Sequence, residues 1–137
     1  AIGDVQQFRK ELDAALASYA QALERFNSIG SVLGQANVQL SLGSLKRSDG
    51  DVNGAIEAFQ AAFQTYRKIE DRYSQARALY RLGDCEMERQ NFENANELYK
   101  KAIQLWGEIG LNELIQQILL PRLKNVQAKL ADPGQHT

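Results

Sequence analysis

The chain has 137 residues, which is enough for one domain with a buried core. Its formal net charge of −1 gives it no overall attraction to nucleic acid or to an anionic membrane surface. It contains no apolar run of the roughly 18 residues that a membrane span needs, and its single cysteine excludes an internal disulfide and fits a reducing, cytoplasmic compartment.

Helix is favoured throughout, because proline is rare and alanine, leucine, glutamine and glutamate are abundant. In chain order, helices are predicted over residues 13–29, 32–48, 52–69, 73–89, 92–109 and 112–131, with residues 3–10 as the stub of an earlier helix. A polar break is predicted at Lys10-Glu11 between the stub and the next helix, and further breaks are predicted at Gly30-Ser31, Glu70-Asp71 and Gly110-Leu111-Asn112. Gly50 is expected to take a positive φ and Asp51 to cap the next helix, whereas Asn91 is expected to do both.

An internal repeat of forty residues links these helices. Leu42-Gly43, Ala55, Phe59 and Ala62 recur as Leu82-Gly83, Ala95, Tyr99 and Ala102, and an earlier half-unit keeps Ala15, Tyr19 and Ala22. Self-similarity at this period indicates stacked helical units. Each glycine lies twelve residues before an alanine, so we expect these small residues to let two antiparallel helices approach closely; the alternative is that the glycines are merely tolerated. Because the chain begins partway through a unit, we also expect it to be a piece of a longer array or, as the alternative, a processed chain.

At these residues the chain resembles the tetratricopeptide repeat. Its longer period, and Arg67 and Gly107 where that family usually has proline, resemble the long-helix subgroup of kinesin light chain, the Leu-Gly-Asn repeat adaptors, rapsyn and bacterial signalling ATPases. The resemblance covers residues 13–110. It implies an all-α fold, a right-handed α-solenoid of antiparallel helix pairs.

The expected organisation is a single domain over residues 1–131, followed by a flexible tail over 132–137. The domain consists of a partial first repeat (1–30), a second repeat (31–70), a third repeat (71–110) and a C-terminal capping helix (111–131). In the capping helix, Leu123 stands where Gly43 and Gly83 stand, and Pro121 predicts a kink. Its apolar run either packs on the preceding helix pair or forms a surface for homo-oligomerisation or for a further repeat; the run consists of Leu114, Ile115, Ile118, Leu119 and Leu120.

The sequence argues against catalysis. The only histidine, His136, lies in the tail, and Cys85 is expected to be a buried apolar filler, so neither a Cys–His pair nor a zinc site can form. A glycine-rich phosphate loop is absent from the sequence. Glu86 and Glu88 are interpreted as solvated surface. We therefore expect a non-enzymatic protein with no cofactor and no metal.

The resemblance implies protein or peptide binding on the concave face of the solenoid. The positions that it places there are Asn37, Leu40, Ser41, Ser44, Arg47 and Ser48, then Arg77, Tyr80, Arg81, Asp84, Met87 and Glu88, and finally Gln117 and Lys124. Arg77 and Arg81 lie one helical turn apart and could hold one carboxylate or phosphate, with Tyr80 as an aromatic wall.

The hypothesis is a protein–protein interaction module that binds an acidic peptide, extended or helical, through these residues. Asn37 would bond the backbone of an extended peptide. Two alternatives stay open: the arginines only pair with Asp84, Glu88 or Glu113, or the chain is a spacer or self-assembly segment of a longer repeat protein.

Overall fold

The computed structural model describes the backbone of residues 2–29 and 31–132 and the side chains of residues 7–25 and 31–132. Gly30, where a break is expected, and the tail residues 133–137, which include His136, lie outside the described residues. Among the helices described, none combines the length and the apolar character that a membrane crossing requires.

Six helices account for most of the described residues, which contain no strand. They are α1 (Ile2–Ile29), α2 (Val32–Ser48), α3 (Val52–Lys68), α4 (Arg72–Glu88), α5 (Phe92–Glu108) and α6, which consists of Asn112–Leu114, Ile115–Leu119 and Leu120–Ala131 in succession. The four helices α2 to α5 have 17 residues each. Their bounds agree with the predicted ones to within one residue, and the all-α class is confirmed.

The turns that end α2 to α5 share one backbone conformation. A residue with positive φ occurs at Gly50, Glu70, Gln90 and Gly110, so the turns repeat at the same spacing as the helix starts. At each turn the next N–H donates to the carbonyl five residues earlier, as in Asp51 to Lys46 at 2.8 Å and Asn91 to Glu86 at 2.9 Å. These bonds satisfy carbonyls that the helix end would otherwise leave without a donor.

The turn between α4 and α5 differs from the predicted one. Gln90, not Asn91, takes the positive φ of 62°, and the Asn91 side chain makes no capping bond. It donates instead to Glu86 at 3.0 Å, as Asn94 does at 3.2 Å and Arg89 at 3.2 Å. The interpretation of Glu86 as solvated surface is therefore wrong: the residue is 8% exposed, and its carboxylate ties the turn to the start of α5. Asp51 does cap α3, accepting from the Gly54 N–H at 2.9 Å.

The predicted break at Lys10-Glu11 is also wrong, because α1 runs unbroken from Ile2 to Ile29. The repeat spacing places these two residues where Gly50-Asp51 and Gln90-Asn91 form turns. However, Lys10-Glu11 provides neither a glycine for positive φ nor an Asp or Asn whose short side chain favours a turn. The helix therefore continues through them.

Two compact units, Ala1–Thr65 and Tyr66–Thr137, make up the chain, and α3 contributes to both. In the N-terminal unit, Leu12 of α1 is buried, and Arg9 pairs with Asp49 at the end of α2 at 2.6 Å. In the C-terminal unit, the largest fully buried side chains are Trp106, Tyr66 and Tyr99. Cys85 is a buried thiol that forms no disulfide, as predicted.

Gly43 and Gly83 make room for aromatic rings. A Cβ added at Gly43 would lie 2.5 Å from Cε1 of Phe59, and one at Gly83 would lie 2.5 Å from Cε1 of Tyr99. In both cases the three nearest atoms belong to the ring. The expectation that the glycines face alanine is corrected to this extent: each glycine accommodates the aromatic residue four positions after that alanine.

Pro121 follows a π-helical turn in α6. Ile115–Leu119 is π-helical, and the Leu120 N–H donates to the Ile115 carbonyl five residues earlier. A bond to the fifth rather than the fourth residue takes one extra residue into the turn. A π turn is one of the features that kink helices, and the kink expected near Pro121 stays a prediction. In the apolar run, Leu119 is fully buried and the other four residues are half-buried, which favours packing on the preceding helices over a free surface.

Candidate functional site

Helix α4 carries the charged residues that the sequence singled out. Asp71 is the N-cap residue of α4, and its Oδ1 accepts from the Ser74 N–H at 3.0 Å. One side of α4 is buried and includes Ala76, Leu79, Gly83 and Cys85. The remaining side bears Arg77, Arg81, Asp84 and Glu88, which we call the arginine face of α4. Of these four, the first three are half-buried and Glu88 is exposed.

Trp106 of α5 supports the aromatic residues of α4. Its ring stacks on Tyr73 at 5.8 Å between centroids and meets Tyr80 edge-on at 5.9 Å. The indole N–H donates to the Tyr73 carbonyl at 3.1 Å, so the indole is held in place by polar as well as ring contacts. Tyr73 is 43% exposed and Tyr80 only 8%. The aromatic surface open to a ligand is therefore that of Tyr73, not of Tyr80 as predicted.

Each arginine of the face lies over its own tyrosine ring. The guanidinium carbon of Arg77 is 5.7 Å from the Tyr73 ring centroid, and that of Arg81 is 5.5 Å from the Tyr80 centroid. Both distances fall within the range of cation–π attraction. In the part of the chain that the structure describes, Arg77 makes no ion pair with a carboxylate.

Asp84 is paired with Arg122 of α6. The Nε of Arg122 donates to Oδ1 at 2.9 Å and its Nη2 to Oδ2 at 3.1 Å, while the Tyr99 O–H donates to Oδ1 at 2.6 Å. The Arg122 guanidinium also lies 4.6 Å from the centroid of the Tyr80 ring. Burial alone would lower the pKa of Arg122, but the hydrogen bond and the charge of Asp84 outweigh it and raise that pKa, so the guanidinium stays charged.

Sequence reasoning missed Arg122, Tyr73, Tyr99 and Trp106. One alternative that it left open paired Arg77 or Arg81 with Asp84, whereas Asp84 is paired with Arg122 from another helix. Tyr73 was open to prediction, since it precedes Arg77 by four residues and therefore lies on the same side of the helix. Arg122 could not be predicted from the forty-residue repeat, because the extra residue of the π turn makes equivalent positions of α4 and α6 forty-one residues apart.

The π turn also displaces Lys124. A forty-residue count places Lys124 at the position of Asp84, but one extra residue brings Asn125 there instead. Burial supports a spacing of forty-one residues between equivalent positions, because Val126 and Cys85 lie forty-one residues apart and both are 0% exposed. Leu123 likewise does not occupy the position of Gly83. Lys124 and Gln117 are exposed on α6.

In the N-terminal unit the predicted residues lie along α2. Asn37 and Ser48 are exposed, and Ser41, Ser44 and Arg47 are half-buried. Leu40 is 3% exposed and thus part of the core, so its predicted place on a binding surface is wrong. Its carbonyl accepts from the Ser44 hydroxyl at 3.3 Å. A binding role for the other α2 residues stays a prediction.

The described residues contain no group of three His, Cys, Asp or Glu side chains arranged to hold a metal ion. Arg77 and Arg81 of α4 instead lie over tyrosine rings, and Asp84 is paired with Arg122. This arrangement is suited to recognising another molecule through charge and aromatic surface.

Comparison with known families places these helices in context. The family model described as Tetratricopeptide repeat matches residues 34–108, which is more than half of the chain and extends from the start of α2 to the end of α5. The comparison with curated proteins gives no significant match. On the match over residues 34–108, the chain belongs to the tetratricopeptide repeat family.

Proposed function

We propose that this chain is a non-enzymatic protein-interaction module that binds an acidic peptide on the arginine face of α4. Tetratricopeptide repeats are in general protein-interaction modules. The observation that carries the finer proposal is Arg77, which lies over the exposed ring of Tyr73 and has no carboxylate partner in the described part of the chain.

An arginine held in this way suits a carboxylate or phosphate ligand. The planar guanidinium can donate two parallel hydrogen bonds to such a group. Contact with the Tyr73 ring restricts the side chain before binding, so less conformational entropy is lost when the ligand arrives. The exposed part of the Tyr73 ring adds apolar surface next to the charge. The α2 residues Asn37, Ser41, Ser44 and Arg47 belong to the N-terminal unit, and a binding role for them stays a separate prediction.

The test compares charge reversal at the site with charge reversal elsewhere. The probe is a fluorescein-labelled Glu-Ser repeat peptide, and a labelled Gln-Ser peptide of the same length is the uncharged control. Binding of each peptide is measured by fluorescence anisotropy at low salt. Arg77→Glu with Arg81→Glu should weaken binding of the Glu-Ser peptide at least about tenfold, since each charge-assisted bond contributes about 1.5–3 kcal/mol. Lys100→Glu with Lys101→Glu makes the same change of charge on the exposed side of α5. This control should weaken binding of the Glu-Ser peptide less than about threefold.

Two results would refute the proposal. In one, the unmodified chain does not distinguish the Glu-Ser from the Gln-Ser peptide. In the other, the α4 and α5 double variants weaken binding equally, which would mean that only net charge matters. Tyr73→Leu separates the ring from the cation: it should weaken binding by a few-fold and leave the salt dependence unchanged.

The alternative of a spacer or self-assembly segment has less support from the C-terminal unit. The run Leu114–Leu120 contains no exposed large apolar side chain, so it offers little free surface to a second copy. Light scattering after size-exclusion chromatography tests this point. A concentration-dependent dimer that Ile115→Asp abolishes, with the helical content unchanged, would favour self-assembly.

Two further attributes belong to the same proposal. Helices of 17 residues with turns of one type support a place in the long-helix subgroup that includes kinesin light chain and rapsyn. The buried, reduced thiol of Cys85 fits a cytoplasmic adaptor or scaffold, because such a compartment keeps thiols reduced.

A further inference from the structure

Arg122 reaches the arginine face from a different helix, and its effect there is electrostatic. The four named residues of the face are two arginines and two acids, so their formal charges cancel. Arg122 adds a positive charge and places it on Asp84, which lies seven residues after Arg77 on the same side of α4. We propose that Arg122 is the residue that sets the ligand preference of this face, by neutralising Asp84 so that an acidic ligand is favoured over a basic one.

The contacts of Arg122 support this indirect role. Its Nε and Nη2 donate to the two oxygens of Asp84, and its Nη1 donates to the Ile118 carbonyl at 3.0 Å. All three nitrogens are therefore engaged within the chain, and Arg122 acts on a ligand mainly through the charge it cancels. The side chains of Arg122 and Asp84 are 34% and 13% exposed, so solvent screens this charge only in part.

The backbone of α6 is what brings Arg122 to Asp84. The π turn Ile115–Leu119 ends just before Pro121, and its extra residue rotates the following turn by about 100° relative to an uninterrupted α-helix. Arg122 then occupies on α6 the position that Arg81 occupies on α4. The π turn thus has a consequence for recognition as well as for packing.

The inference rests on the proposed function, and two opposite single variants test it. Arg122→Gln exposes the negative charge of Asp84, so it should weaken binding of the Glu-Ser peptide about three- to tenfold at low salt and strengthen binding of a Lys-Ser peptide. Asp84→Asn leaves the positive charge of Arg122 without its acidic partner, so it should strengthen binding of the Glu-Ser peptide and weaken binding of the Lys-Ser peptide. The double variant should lie between the two single variants.

The design separates charge from structure. Both single variants break the same ion pair, so a purely structural role predicts the same direction of change for both, and that result would overturn the inference. Lys101→Gln and Glu97→Gln, on the exposed side of α5, make the same changes of net charge and should alter the affinities less than about twofold. Circular dichroism of every variant checks that the helical content is retained.

The outcome also distinguishes this inference from the proposed function. If the unmodified chain does not prefer the Glu-Ser peptide, the proposed function fails. If it does, and Arg77→Glu with Arg81→Glu removes the preference while the Arg122 and Asp84 variants leave it unchanged, only the role of Arg122 is refuted.

Discussion

Three glycines of the C-terminal unit should respond in three different ways to the same change to alanine. Gly83 faces the buried ring of Tyr99. A Cβ added at Gly107 in α5 would have its nearest neighbour at 4.0 Å, and one added at Gly110, whose φ is +76°, would meet nothing within 4 Å. The substitution adds one methyl group in each case. The sign and size of the effect therefore depend on the surroundings of the residue.

At Gly83 the added Cβ would lie 2.5 Å from Cε1 of Tyr99, about 1 Å inside ordinary contact. The ring is 1% exposed and its O–H donates to Asp84 at 2.6 Å, so it cannot move aside freely. Overpacking of this kind costs about 1–3 kcal/mol, and loss of the hydrogen bond adds about 1 kcal/mol. Replacing glycine within a helix returns about 0.5–1 kcal/mol. We expect a net loss of about 1–3 kcal/mol in the free energy of unfolding.

The other two glycines calibrate this value. Gly107→Ala gains the helix propensity without a clash and should stabilise by about 0.5 kcal/mol. Gly110→Ala should cost about 1–2 kcal/mol from the left-handed backbone alone. For a chain of this length 1 kcal/mol corresponds to roughly 3–5 °C, so Gly83→Ala should lower the unfolding midpoint by about 3–15 °C and Gly107→Ala should raise it slightly.

Urea unfolding followed by the fluorescence of Trp106, the only tryptophan, measures all three variants. Tyr99→Phe releases the ring from Asp84, so Gly83→Ala should cost less in that background than alone. The reasoning is refuted if Gly83→Ala proves as stable as Gly107→Ala, since the Tyr99 ring would then not restrict the space at Gly83.

Three further predictions concern buried groups of the C-terminal unit. Glu86→Leu should destabilise by about 2–3 kcal/mol in urea unfolding, because the three side chains that donate to Glu86 lose their acceptor, whereas Glu97→Leu on the exposed side of α5 should stay within about 0.5 kcal/mol. Burial raises the pKa of Tyr66, with a smaller opposing effect of Arg77; the unfolded chain thus loses this proton first as pH rises above the ordinary value of about 10.0. Stability should therefore fall above that pH, and Tyr66→Phe should reduce the slope of its decline; an unchanged slope would contradict the assignment. The Cys85 thiol, which is 0% exposed, should react with a disulfide reagent only at the rate of unfolding, and immediate reaction in the native state would show that the helices open locally.

Much of the helical framework was predictable because the signals for it are local. Propensity, helix spacing and short polar breaks located α2 to α5 to within a residue. The turns followed from Gly50, Gly110 and the Asp or Asn next to Glu70 and Gln90. Where these local signals are missing, at Lys10-Glu11, the repeat count predicted a break that the chain does not make.

The candidate site was only partly predictable. Arg77, Arg81 and Asp84 were found by their position in the repeat. Their partners were not, because cation–π and ion-pair contacts depend on which helices pack together. Tyr80 was predicted to present an exposed ring to the ligand, but Trp106 and Arg122 pack against that ring and cover it. Glu86 was assigned to the surface although three donors surround it.

By itself, the sequence determined the class of fold and most of the turn positions, since these depend on residues within one or two helical turns of one another. It also determined the repeat and the family, because the same residue types recur at a fixed spacing of forty. Only the tertiary structure decided what the glycines accommodate, which acid is neutralised and which ring is open. Those outcomes depend on residues far apart in the chain, such as Asp84 and Arg122, and on a single extra residue in the π turn of α6. A one-residue change of register turns a helix by about 100°, which is enough to exchange the side chain that meets a neighbouring helix.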